Sequence, residues 1–188
     1  MCGIASITGP VSAGEDEARV EAMVASLQHR GPDHHQVCLR DGAVLGHARL
    51  SIIDLESGNQ PLFSVDGQVA VVFNGEIYNY IELRRDLLAD YPFSTESDTE
   101  VIVALYQRYG IESLSKLNGQ FAICLHDQRR QLSYLIRDRV GIAPLFYSRQ
   151  GGRVFFASEV KALQAAGIPL ELDPEGLGDF VHLWTPIS

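Results

Sequence analysis

A cysteine stands second in the chain, in "MCGIASITG". Its small side chain predicts removal of Met1, leaving Cys2 as the first residue with a free α-amine. That amine has a pKa of roughly 7.7–8.0 and sits beside a thiol of roughly 8.5. It can take the thiol proton, directly or through a water, so an N-terminal nucleophile needs no separate histidine. The competing reading is a small hydrophobe on a terminal strand, since free cysteines are usually buried and inert. Thiolate attack on an amide creates an oxyanion, and "FNGE" offers donors for it: the Asn74 side-chain amide and the Gly75 N–H. Glycine lets the backbone approach a ligand closely. Asn-Gly also forms hairpin turns, but the following "EIYNYIELRRDL" reads as helix, not as a return strand.

Charged residues in apolar settings come next. Arg49 lies inside "GHARLSI". A buried arginine needs a carboxylate partner, and its fork suits either an internal acid or a ligand's carboxylate. Asp98 and Glu76 stand at element starts, where an acid caps a helix or meets a ligand ammonium. "HRGPDHH" holds three histidines, but adjacent His34 and His35 face opposite ways on a strand, so a solvated loop is expected there and no metal site.

Composition bounds what this chemistry can serve. With 188 residues, 46% of them hydrophobic, one domain spanning 1–188 is expected. The net charge of −9, with no basic cluster, argues against nucleic acid as a partner. The longest apolar runs, "VAVVF" and "FAICL", are strand-sized and the first residues are not basic, so neither a membrane span nor a secretory start is expected. Three dispersed cysteines, Cys2, Cys38 and Cys124, fit a reducing compartment, and a cytoplasmic location is the default.

The elements that must position these residues come in antiparallel clusters with helices between them. A first strand covers Cys2 to Thr8, and "EDEARVEAMVASLQHR" predicts a helix ending at Gly31-Pro32. "HQVCLR" and "AVLGHARLSI" form a hairpin across Asp41-Gly42. "LESGNQPLF" reads as loop and "QVAVVFNGEI" as a buried strand. Helices follow in "YIELRRDLLADY" and "DTEVIVALYQRYG", the second capped by Ser97 or Asp98 and stopped by Gly110, then a short one in "IESLSKL". "QFAICLHD" and "LSYLIRD" make a second antiparallel pair. "PLFYS" and "RVFFAS" are further strands, before helices in "EVKALQAAG" and from Pro174 onward.

Eight segments, in order, carry a resemblance: "MCGI", "RGPD", "GHARLSIIDLESGNQPL", "VFNGEIYN", "SDTEVIVALY", "LNGQFAICLHD", "RDRVGIAPLFY" and "FASEVKAL". Together they resemble the class II glutamine amidotransferase domain, in its asparagine-synthetase branch. The resemblance implies an α+β fold of the N-terminal-nucleophile hydrolase type, a four-layer αββα sandwich of two antiparallel sheets. It implies Cys2 as nucleophile and, through its amine, base, with Asn74 and Gly75 as oxyanion hole. Arg49 would clamp the α-carboxylate of L-glutamine and Asp98 its α-ammonium, with Glu76 and the Ile52 backbone completing the pocket. The implied activity is hydrolysis of glutamine to glutamate and ammonia through a cysteinyl thioester, with no cofactor in this chain. The ammonia would serve an ATP-activated acyl acceptor in a synthetase domain in cis, which would hold ATP and magnesium. Its Ser-Gly-Gly-x-Asp-Ser pyrophosphate loop does not occur here, and residues from about 172 to 188 are expected to lead into that domain. A homodimer is compatible with this reading. Alternatives are an amidotransferase for a sugar-acid or peptide-type acceptor, and a non-catalytic module that binds glutamine or docks to a synthetase.

Overall fold

The computed structural model describes residues 1–55 and 57–184. Along the chain run β1 (Gly3–Thr8), α1 (Glu15–Ser26), β2 (His34–Arg40), β3 (Ala43–Arg49), β4 (Leu62–Phe63), β5 (Val69–Ile77), α2 (Tyr80–Leu87) and α3 (Asp98–Tyr109). A 3-10 turn at Ile111–Lys116 leads to β6 (Gly119–Asp127), β7 (Leu132–Arg137), β8 (Phe146–Gln150), β9 (Arg153–Ala157), α4 (Val160–Ala165) and α5 (Pro174–Leu183). The strands form two sheets, in the orders β2-β3-β1-β9-β8 and β4-β5-β6-β7, and every pairing within them is antiparallel.

Three apolar clusters separate four layers. Ile4, Leu45, Ala70, Val72, Ala122, Cys124 and Phe156 fill the space between the sheets. Val20, Met23 and Val24 of α1 and Ala162 and Leu163 of α4 pack on the outer face of the first sheet. Leu83 of α2 and Val101, Ile102 and Leu105 of α3 pack on the outer face of the second. The central strands read as apolar runs because both their faces are covered. In β5, Val69, Val71 and Phe73 face the helices, whereas Ala70 and Val72 face the other sheet. The four-layer αββα arrangement implied by the resemblance is the one observed.

Element boundaries shift in physically legible ways. The first helix stops at Ser26, short of the expected Gly31, where the Ser26 hydroxyl donates to the Met23 carbonyl at 2.6 Å and competes with the backbone. Residues expected as continuous loop before β5 include the two-residue strand β4, which pairs with Ala70 and Val71. Ser97 caps α3 by accepting from Thr99 N–H at 3.2 Å, and Gly110 ends it with φ 76°. The final residues of the expected lead-in, 185–188, lie outside the described residues. Among those described, no helix is long and apolar enough to cross a membrane.

The outer helix α1 approaches β3 at Gly46. A Cβ there would lie 2.5 Å from Val24 Cγ2, 2.6 Å from Val20 Cγ1 and 2.8 Å from the Ala5 carbonyl oxygen. We expect Gly46→Ala to lower stability by about 1–3 kcal/mol through overpacking, read from urea denaturation. A variant as stable as the parent would contradict this packing.

Candidate active site

β1 places Cys2. The strand pairs Gly3 with Ala48, which brings Cys2 beside the end of β3 at Arg49. The Cys2 Sγ accepts from Leu50 N–H at 3.4 Å and donates to the Leu50 carbonyl at 3.6 Å. Burial pushes the thiol pKa up, opposed by the Leu50 N–H and the nearby positive charges of the chain terminus and Arg49. Burial thus disfavours the thiolate, the nucleophilic form of a cysteine. The Cys2 carbonyl accepts from Arg30 Nε at 2.9 Å. Arg30 is in turn held by Glu159 at 3.0 Å, an acid also contacted by His29 at 2.9 Å and Lys161 at 3.2 Å. These donors outweigh burial and hold the Glu159 carboxyl at a pKa of about 2. Met1 precedes this arrangement with its side chain half exposed.

Six of the seven residues singled out in the sequence line one cleft: Cys2, Arg49, Ile52, Gly75, Glu76 and Asp98. Its electrostatics are unusual for a protein interior. Arg49 and Asp98 are each 4% exposed, yet neither forms an ion pair with any described side chain. The internal acid that Arg49 was expected to need is absent among the described residues. Its two terminal nitrogens instead donate to the carbonyls of Ile53, Asp54 and Leu55 and, at 2.7 Å, to Asn59 Oδ1. Carbonyl dipoles satisfy the hydrogens, and among the described residues no carboxylate oxygen forms an ion pair with the guanidinium, although its charge is felt by the Asp54 carboxyl. Asp98 accepts from Ile77 N–H at 2.9 Å across the cleft floor, and burial lifts its pKa despite that bond. A positive and a negative charge, both buried and neither ion-paired with a described side chain, thus share a cleft with one thiol and act on it electrostatically. Each costs several kcal/mol of desolvation in isolation.

The strand edge supplies donors. On β5, Phe73 N–H is taken by Gln60 Oε1 at 2.6 Å and Ile77 N–H by Asp98. Antiparallel alternation turns the Gly75 N–H, midway between them, toward the same open edge and the cleft. Only glycine fits there: its φ is 156° and a Cβ would lie 2.0 Å from the Gln120 carbonyl oxygen. Asn74, the seventh residue, does not line the cleft. It is fully buried on the face of β5 that looks between the sheets, and both its Nδ2 and its Oδ1 lack a partner. A buried primary amide with neither end satisfied among the described residues is costly.

Other expectations resolve differently. His34 and His35 belong to strand β2, not to a solvated loop, and His35 Nε2 lies 2.8 Å from the Gly31 carbonyl. Among the described residues no group of three metal-ligating side chains comes together. Ile52 is 68% exposed at the cleft mouth, and Glu76 is also exposed. Sequence reasoning missed Arg30, Leu50, Gln60 and Asn59 as parts of the site. Arg30 lay within "RGPD" and the last two within "ESGNQPL", but nothing local says that these side chains turn back onto β1, β5 and Arg49.

Because burial raises the Asp98 pKa, its ionised form costs stability at neutral pH, and that cost is relieved as pH falls and the group protonates. Asp98→Asn is therefore expected to melt at or above the parent's temperature at pH 7, with the gap narrowing toward acid. A clear loss of stability at pH 7 would contradict this. Such a gain would be the usual signature of a residue kept for function.

Comparison with known proteins gives a consistent picture. A family model described as "Glutamine amidotransferase domain" matches residues 1–187. The chain is 40% identical over 185 residues to asparagine synthetase [glutamine-hydrolyzing] 1 of Bacillus subtilis (strain 168), an alignment covering 96% of this chain and 29% of that protein. It is 38% identical over 192 residues to Amidase chry2 of Gibberella zeae, covering 95% of this chain and 29% of the relative. In structure it resembles the glutamine phosphoribosylpyrophosphate amidotransferase of B. subtilis, with a TM-score of 0.72 at 24% identity, over 88% of this chain and 44% of the other. At that identity the likeness speaks for the fold alone. The chain spans under a third of the length of these two sequence relatives.

Proposed function

The chain is a member of the glutamine amidotransferase domain family, and on that footing we propose that it hydrolyses L-glutamine to L-glutamate and ammonia with Cys2 as nucleophile. The observation that carries the reading is the pair of buried charges, Arg49 and Asp98, neither ion-paired among the described residues, in one cleft with the Cys2 thiol. A free amino acid brings a carboxylate and an ammonium that neutralise both at once. A glutamine inside a peptide brings neither, and would leave both charges unpaired.

The chemistry follows from the surroundings. With Met1 removed, the neutral α-amine of Cys2 takes the Sγ proton and the thiolate attacks the side-chain amide carbon of glutamine. The oxyanion is received by the Gly75 N–H at the open edge of β5, with Asn74 Nδ2 as the second donor once its amide turns from the inter-sheet space toward the cleft; such donors lower the barrier. The protonated amine then gives its proton to the departing nitrogen, and ammonia leaves. Water adds to the γ-glutamyl thioester, the C–S bond breaks, and glutamate is released. Arg30 steadies the backbone from which both sulfur and amine project, through the Cys2 carbonyl. Glu76 and Ile52 close the cleft mouth around the α-amino end.

The sequence relatives are more than three times as long as this chain. We propose that the ammonia passes to an ATP-activated acyl acceptor in a synthetase domain of the same polypeptide, aspartate being the acceptor favoured by the similarity to asparagine synthetases. The comparable identity to an amidase supports a second reading, in which the same glutaminase half serves another acceptor.

The test is glutamate production by the processed chain against Cys2→Ala. We expect the variant to lose about 10³-fold or more in rate while still binding glutamine by calorimetry. Equal rates would end the proposal, and tight binding without turnover in the parent would favour a non-catalytic module. A parent whose intact mass retains Met1 is expected to be inactive, since its amine is an amide. In the processed chain kcat/KM should rise with pH through the α-amine range of roughly 7.7–8.0; a flat profile would remove the amine from its role.

A further inference from the structure

The open edge of β5 raises a question that the mechanism leaves unanswered. Three N–H groups, from Phe73, Gly75 and Ile77, point off the same edge, where an adjacent strand would consume all three. β4 pairs only as far as Val71, and the chain then leaves the sheet at Pro61. Ile77 is taken by the Asp98 carboxylate. Phe73 is taken by a side chain that no part of the mechanism uses. Gln60 accepts its N–H at 2.6 Å, and the other end of the same amide donates to Thr99 Oγ1 at 3.3 Å in the first turn of α3. The Phe73 carbonyl is held at 3.2 Å by His47 Nε2, which burial keeps neutral with a pKa of about 3. Gln60 is 5% exposed, Thr99 1%, and both line the cleft.

We infer that Gln60 is a positioning residue for the proposed glutaminase reaction: it stands in for a missing strand beside Phe73, and with Asp98 brackets the Gly75 N–H so that this donor alone stays free and aimed at the oxyanion. The inference rests on the glutaminase reading. A side-chain amide suits the task for two reasons. It ends after one hydrogen bond, where a strand would go on to pair with Gly75, and it is neutral, so it places no charge against the developing oxyanion. Its second hydrogen bond ties the edge to the helix turn that carries Asp98. The donor for the oxyanion and the anchor for the ammonium are thereby fixed relative to one another.

The experiment measures kcat and KM for glutamine hydrolysis in the processed chain, the parent against Gln60→Ala, Gln60→Glu and Thr99→Val. Active sites are counted by labelling Cys2 with a chloroketone analogue of glutamine. Loss of a single oxyanion donor costs about 10²–10³ in kcat, so misaiming one should cost about 10- to 100-fold. We expect that drop per labelled site in Gln60→Ala, with KM within about threefold because Arg49 and Asp98 still hold the substrate. Gln60→Glu still accepts the Phe73 N–H and so guards against simple misfolding. It should fall at least as far, since it adds a negative charge against the developing oxyanion, even where the Thr99 hydroxyl donates to the new carboxylate. Thr99→Val should show a smaller drop of the same kind. Unchanged kcat per site in both Gln60 variants, or a raised KM at full kcat, would overturn the inference while leaving the glutaminase reading intact. No hydrolysis by the parent would overturn that reading and this inference with it.

Discussion

An arginine and an aspartate, both nearly inaccessible to solvent and neither ion-paired among the described residues, set the terms for the rest of this molecule. Charges so placed are tolerated only where surrounding structure over-determines them, and here it does. Arg49 is wrapped by three loop carbonyls and an asparagine, and Asp98 is pinned by a strand N–H at the start of a capped helix. Three apolar clusters supply the stability against which these sites are maintained. Dipoles and single hydrogen bonds reduce the desolvation cost without cancelling the charge. The cleft therefore holds a positive and a negative group, which suits the zwitterion of the proposed substrate.

The sandwich explains why these groups meet. Two antiparallel sheets stacked face to face place the start of β1 and the ends of β3 and β5 together, so a chain terminus, an arginine and a strand edge converge without any long excursion. β6 packs so tightly on β5 that residue 75 can carry no side chain, which puts its backbone at the cleft surface. Asn74, one residue earlier, points into the space between the sheets with its amide unsatisfied. Neighbours on one strand thus serve opposite sides because of the two-residue period. Cys124, by contrast, lies wholly between the sheets, where burial raises its thiol pKa far out of the reactive range. Cys2 instead lines the cleft.

Much of this was legible in the residues. Local rules located the hairpin at Asp41-Gly42, a cap at Ser97 or Asp98 (Ser97 in the structure), the Gly110 stop and the apolar run of β5, because each depends on neighbours in sequence. The stacking of the two sheets did not follow from strand patterns and came only with the resemblance, since a strand covered on both faces looks the same whichever layer covers it. The chemistry-bearing residues were visible as types out of place: a cysteine behind Met1, an arginine in an apolar strand, Asn-Gly before a helix. Invisible were the groups that act through long-range contacts. Arg30 reaches the Cys2 carbonyl from 28 positions away, and Gln60 reaches β5 from 13. A side chain that substitutes for a strand leaves no periodic trace. Likewise, charge alone left two partners open for Arg49, an internal acid or a ligand's carboxylate, and among the described residues backbone carbonyls and Asn59 take its hydrogens.

The account comes down to whether the thiol at the chain's start attacks an amino acid recognised by both of its α groups. The most direct measurement is mass spectrometry of the processed chain, acid-quenched during turnover with glutamine and, in parallel, with glutamine whose α-amine is acetylated or whose α-carboxylate is amidated. The account predicts one γ-glutamyl group on the N-terminal peptide at Cys2 from free glutamine, and none from either blocked form. Acyl groups arriving equally from the blocked forms, or turnover of glutamine with the label on another residue, would contradict it.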